Sequence, residues 1–163
     1  MKKIRIGSGA GYAGDRLEPA LELLKKGNLD YICFEGLAER TIALAQKEKK
    51  EDPTKGYNEL LLYRMKQVLP LALRHNVTII TNMGAANPIS AMEDICKMAQ
   101  EMNLSNLKIA AVTGDDIYKN IKNYLDFPIL ETGKPLKTLN NQIISANAYL
   151  GCDGIVTALK NGA

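Results

Sequence analysis

The chain has 163 residues, 46% of them hydrophobic and 24% charged, with a formal net charge of +3. That length allows one domain with a core but not two comfortable ones, and the balance is that of a globular protein rather than a disordered or membrane-embedded one. The weak charge, the absence of tryptophan and the two phenylalanines argue against a stacking platform for nucleic acid.

The amino terminus, MKKIRIGSG, has a basic start but no apolar stretch long enough for a signal peptide. No segment approaches a membrane span, so the cytoplasm is the expected compartment. Short β-branched or apolar runs at residues 4–7, 31–34, 77–81 and 107–112 predict strands. Helical spacing runs between them over 17–26, 37–50, 60–74 and 89–102, with further helical patterns at 117–125 and 155–160. Near-continuous apolar strands separated by helices predict an α/β fold of three layers: a mainly parallel sheet with helices on both faces, Rossmann-like. Part of a β/α barrel is the alternative, because its strand-end loops look the same. Residues 47–50 with Lys55 form the densest basic run, but Glu48, Glu51 and Asp52 interrupt it, as on a solvated helix end. DPTKGY at 52–57 predicts a turn within a helical hairpin. Residues 127–138, with Pro128, Gly133 and Pro135, predict an excursion beyond the sheet edge.

A fifth strand is missing, since Gly162 and Ala163 follow the last helical pattern where a strand would next begin. A single α/β domain over 1–163 is expected, as the first portion of a longer architecture. The alternative is a natural half that meets a second subunit, or its own copy in a homo-oligomer, through the open edge. Cys33, Cys96 and Cys152 are odd in number and lack CxxC spacing, so free buried thiols are expected, with neither a disulfide frame nor zinc.

Ligands of parallel α/β folds bind outside the carboxyl ends of the strands, a rule that selects four segments. GSGAGYAGDR at 7–16 offers Gly7, Ser8, Gly9 and Gly11 with Asp15 and Arg16. EGLAERT at 35–41 offers Glu35, Glu39 and Arg40. NMGAANP at 82–88 offers Asn82, Gly84 and Asn87, and TGDD at 113–116 offers Asp115 and Asp116. Glycine allows close backbone approach to a ligand, although tight turns and helix caps use the same residues. Gly9, Gly11 and Gly14, with Glu35 at the next strand end, nominally match a dinucleotide fingerprint. Pro19, however, belongs in a first helical turn, which leaves Gly14 before the helix. Asp15 and Glu18 would set negative charge near a pyrophosphate, or cap that helix.

Arg40 near a helix start is electrostatically unfavourable by itself. It implies a partner, whether Asp15, a ligand carboxylate or phosphate, or an ordinary surface ion pair. Amides before Pro88 suit an anion or oxyanion, and Asp115 with Asp116 suits a helix cap or a divalent cation. The one histidine, His75, falls at the opposite end of the sheet as a helix C-cap. No Ser-His-Asp or Cys-His pairing can therefore be assembled, and no zinc site is visible. Asp15, Glu35, Asn82 and Asn87 are the expected catalytic groups. Gly7, Ser8, Gly9, Gly11, Arg16, Glu39, Arg40, Gly84 and Asp115 are the expected substrate-binding groups, with no metal.

The ordered motifs IRIGSGAGYAGDR, FEGLAERT, TNMGAANP, VTGDD and ANAYLG resemble the acyclic terpene utilisation (AtuA-like) family over nearly the whole chain. The matching positions are Gly7, Ser8, Gly9, Gly14, Asp15, Arg16, residues 37–41, Asn82, Gly84, Asn87, Pro88 and the ANAYLG segment at 146–151. Family members continue into much more chain, so a site completed by later residues would be missing here. The resemblance implies a place in the breakdown of acyclic terpenes and branched acids through CoA thioesters, and it carries over no catalytic step. The expected function is a catabolic enzyme or enzyme subunit acting on a branched carboxylate or its acyl-CoA thioester, which is a ligand; no resident cofactor is expected. A non-catalytic binding or scaffold subunit of an acyl-CoA carboxylase or hydratase, and an NAD-binding domain, are the alternatives. Neither nucleic acid nor membrane is an expected partner.

Overall fold

The computed structural model describes residues 3–163. Three parallel strands, β1 (Ile6–Ala10), β2 (Tyr31–Phe34) and β3 (Thr78–Thr81), form one open sheet in the order β1-β2-β3. Helix α1 (Glu18–Lys26) joins the first two strands, and a hairpin of α2 (Glu39–Glu51) and α3 (Leu61–His75) joins the second to the third. Helix α4 (Pro88–Glu101) follows β3, and α5 (Asp153–Lys160) lies near the end of the chain. The protein is of the expected α/β class, and its parallel open sheet is consistent with a three-layer Rossmann-like arrangement.

Local signals explain the helix bounds. Helix α1 carries Pro19 in its first turn and Glu18 at its dipole-positive end, with Lys25 and Lys26 in the last turn. Helix α3 ends on His75, and Asn76 takes the left-handed C-cap conformation at φ 55°. Helices α1 and α3 pack on each other. Strand alternation buries Gly7, Ile32 and Phe34 on one face, while Ile6, Ser8, Tyr31 and Cys33 on the other are exposed or half-buried. Ser8 pairs with Cys33 but Ala10 with Phe34, so Gly9 is the extra residue of a bulge at the end of β1.

Several expectations are corrected. Residues 107–112 form no strand, and they alternate between half-buried and exposed with none fully buried. A strand exists only through a neighbour, and a slot of about 540 Å3, bordered by Thr78, Ile79, Ile80 and Thr81, separates this segment from β3. The helical pattern over 117–125 is realised as a 3-10 helix, Tyr118–Tyr124, and a second follows at Leu136–Gln142. Cys33 and Cys96 are half-buried, and Cys152, at the solvent-facing start of α5, is exposed.

The excursion over 127–138 is a small antiparallel turn. Pro128 bridges Pro135, Ile129 N donates to Lys134 O, and Gly133 takes φ 66°. Among the described residues no fully buried position occurs beyond Ala99, and none of their helices is long and apolar enough to cross a membrane.

Candidate functional site

The first loop holds its own anion. The Asp15 carboxylate accepts from Gly11 N at 2.8 Å and Tyr12 N at 3.0 Å, so two successive backbone amides form a nest that a side chain already fills. Asp15 therefore does not cap α1, which has no side-chain cap. A pyrophosphate approaching those amides would have to displace Asp15 and its charge. Beneath the loop, Arg64 of α3 is 1% exposed. Its Nη2 donates to Ala13 O at 2.8 Å and Asp15 O at 2.7 Å. Sequence reasoning missed this residue. The available signal was an arginine at a core position of the helical repeat, between Leu61, Met65 and Val68, which are all buried.

The second and third loops meet at a carboxylate–amide pair. Asn82 Nδ2 donates to Glu35 Oε1 at 2.9 Å, and Leu37 N donates to the same oxygen at 3.0 Å. Asn82 Oδ1 accepts from Gly36 N at 2.9 Å. Glu35 N donates to Ala10 O and Asn82 N to Phe34 O, so the pair is carried by the ends of all three strands. Glu35 is solvent-exposed, and among the described residues no hydrogen bond reaches its Oε2. One carboxylate oxygen is anchored and the other is available.

Asn87 faces a different neighbourhood. It is 7% exposed, and its amide hydrogens go to Pro53 O and Lys55 O, both at 2.8 Å. Ala86 N donates to Gly56 O, and Lys49 Nζ to Ala86 O at 2.7 Å. Asn87 thus clamps the loop after β3 to the turn of the helical hairpin, and its N–H groups are already committed. A side chain on Gly84 would lie 2.9 Å from Pro88 Cα, so packing against backbone accounts for that glycine, while one on Gly7 would lie 2.6 Å from Leu29 Cδ1, the movable end of a half-buried side chain. Ser8 is exposed within β1.

The ANAYLG segment supplies partners to the remaining acids. Tyr149 OH donates to Glu39 Oε1 at 2.6 Å. That bond, with a lesser contribution from the Glu39 backbone amide, holds the Glu39 carboxyl below its ordinary pKa and raises that of Tyr149. Asn147 Nδ2 donates to Asp115 Oδ2 at 2.9 Å, while Asn147 Oδ1 is buried with no partner among the described residues. Asp116 accepts from buried Gln46 at 3.0 Å and from Tyr118 N at 3.0 Å. Arg16 and Arg40 are exposed and make no ion pair or hydrogen bond among the described residues. No cluster of three or more histidine, cysteine or acidic side chains suited to a metal occurs among those residues.

These features define an α/β protein whose polar groups gather at the carboxyl ends of parallel strands. The family model of the acyclic terpene utilisation family protein AtuA matches residues 4–163, and the chain belongs to that family. No curated protein and no solved structure matches the chain.

Proposed function

We propose that the chain provides the acid–base group for a catabolic step on a branched carboxylate or its CoA thioester. The observation that carries this reading is the Glu35–Asn82 pair, which fixes a carboxylate at the strand ends with its Oε2 open to a substrate. Glu35 Oε2 would take a proton from the carbon beside the thioester carbonyl. The electron pair would move onto the carbonyl oxygen, and reprotonation would return the proton. Asn82 and Leu37 N orient the base. Arg16 and Arg40, exposed and without partners among the described residues, would hold the anionic group of the ligand. Asp15 and Asn87, whose polar atoms are engaged elsewhere, keep structural roles in this reading.

The test is exchange in deuterated water at the carbon next to the carbonyl of a branched acyclic acyl-CoA, followed by mass spectrometry. Glu35→Gln is expected to slow exchange by about 10²–10⁴-fold, and Arg40→Ala to weaken binding while leaving the bound-state rate. Saturable NAD binding with indifference to acyl-CoA would overturn the reading. A second reading, a binding or scaffold subunit of an acyl-CoA carboxylase or hydratase, draws support from the exposed apolar groups Leu130 (95%), Tyr149 (92%) and Phe127 (62%). Acyl-CoA binding without any proton exchange would favour it.

A further inference from the structure

We propose that the slot beside β3 receives one extended strand from outside residues 3–163. Strand β3 pairs with β2 through alternate residues: Thr78 N donates to Asp30 O, and Asn82 N to Phe34 O. The alternation turns the backbone groups of Ile79 and Thr81 away from β2, and no hydrogen bond reaches them among the described residues. Residues 107–112 likewise have no backbone hydrogen bond. Both rows border the same slot of about 540 Å3, whose lining also includes Met65 and Leu69 of α3, Ile95 of α4, and Ile155 and Leu159 of α5.

Two facing rows of unpaired N–H and C=O groups in apolar surroundings are unfavourable. Their alternating partial charges are complementary to a single ligand class. An extended strand presents donors and acceptors on both edges and satisfies the two rows together, as in strand addition; an aliphatic chain satisfies neither. A lining rich in apolar side chains selects a near-continuous β-branched run of about five residues. A strand running parallel to β3 would emerge beside Asn82, Gly84 and Leu150, which border the upper end of the slot, and would deliver its following residues towards Glu35. Among the described residues a second copy has no spare strand to donate, since its three strands are already paired and 107–112 forms a wall of its own slot. The inference does not rest on the acid–base reading of Glu35, and the readout below is blind to that reading.

The probe is the peptide Lys-Lys-Val-Ile-Val-Ile-Val-Lys-Lys, with a control carrying the same side chains but N-methylated at its three central residues. Binding by the 163-residue chain is followed by residue-resolved hydrogen exchange. The expected result is saturable binding, new protection at Ile79, Thr81 and alternate residues of 107–112, and at least a tenfold loss with the methylated control. Alternate residues of the segment face the slot, so only one of Ala110→Pro and Ala111→Pro should lose the peptide tenfold, both retaining wild-type circular dichroism. Should either variant unfold, the wild-type comparison of the two peptides decides alone. The proposal is overturned by absence of saturation, by equal affinity for the two peptides, or by protection elsewhere. It is equally overturned if a branched aliphatic acid, or self-association of the chain alone, protects those same amides.

Discussion

A side-chain carbon added to Gly9 would lie 2.6 Å from the Phe34 ring, whereas one on Gly11 would meet nothing within 4 Å. Both belong to the same glycine-rich motif, yet the first makes room for a core ring and the second leaves its amide free to bind Asp15. Gly9→Ala is therefore expected to destabilise the fold by about 1–3 kcal/mol through overpacking, and Gly11→Ala by no more than about 0.5 kcal/mol. Denaturant unfolding of the two variants checks this, and equal stability would mean that the Phe34 ring moves aside without cost. Sequence reading marked both glycines as ligand-facing because composition does not record which neighbour closes on a Cα. Arg64 was illegible for a related reason. Its acceptors, the carbonyls of Ala13 and Asp15, lie some fifty residues away in the chain, far outside the window that periodicity covers.

At the level of elements, a hydrogen bond of 2.8 Å from Tyr57 to Asp94 ties the segment before α3 to α4, and Lys97 lies 3.0 Å from the other oxygen of Asp94. Burial first, and then the Asp94 carboxylate, push the Tyr57 hydroxyl from 10.0 up to about 12. A raised pKa favours the protonated group in the folded state. The contribution is fully present below the ordinary value of 10.0 and is lost as pH rises through about 12. Asp94 runs the other way. Lys97 first, and then Tyr57, lower its pKa, so its contribution holds above the ordinary carboxylate range and disappears as pH falls through the depressed value. Tyr57→Phe is expected to flatten the alkaline limb of a stability–pH profile over that window, measured by chemical unfolding in alkaline buffers. A limb as steep as that of the wild type would show that the bond carries no linkage. The helices themselves were readable to within about two residues, as Pro19, Pro88 and the cap at Asn76 mark their ends locally.

For the molecule as a whole, burial is unevenly distributed along the chain. The core runs from Ala10 to Ile95, and among its most enclosed members Ile32 and Phe34 come from β2, Leu61 and Val68 from α3, and Ala20 and Leu24 from α1. Native-state hydrogen exchange is expected to find the amides of β2 and α3 at the global limit. Those of residues 107–112 in the free chain should exchange faster by about a hundredfold or more, since unpaired backbone opens without global unfolding. Protection of that segment equal to β2 would mean that it closes onto β3 in solution.

The amino-acid sequence by itself determined the α/β class, the parallel character of the sheet, the hairpin between α2 and α3, and the end of the sheet where glycine and polar groups gather. Those properties follow from periodicity and punctuation, which are local. Only the tertiary structure decided that Glu35 and Asn82 form a pair, that Asp15 fills the first loop's nest, that Asn87 clamps a turn and that residues 107–112 lie apart from β3. Each of these depends on which distant group comes within hydrogen-bonding reach. The apolar run at 107–112 carries the composition of a strand, but a strand's identity is completed by the backbone of a neighbour, and no periodicity in the run itself encodes whether that neighbour is there.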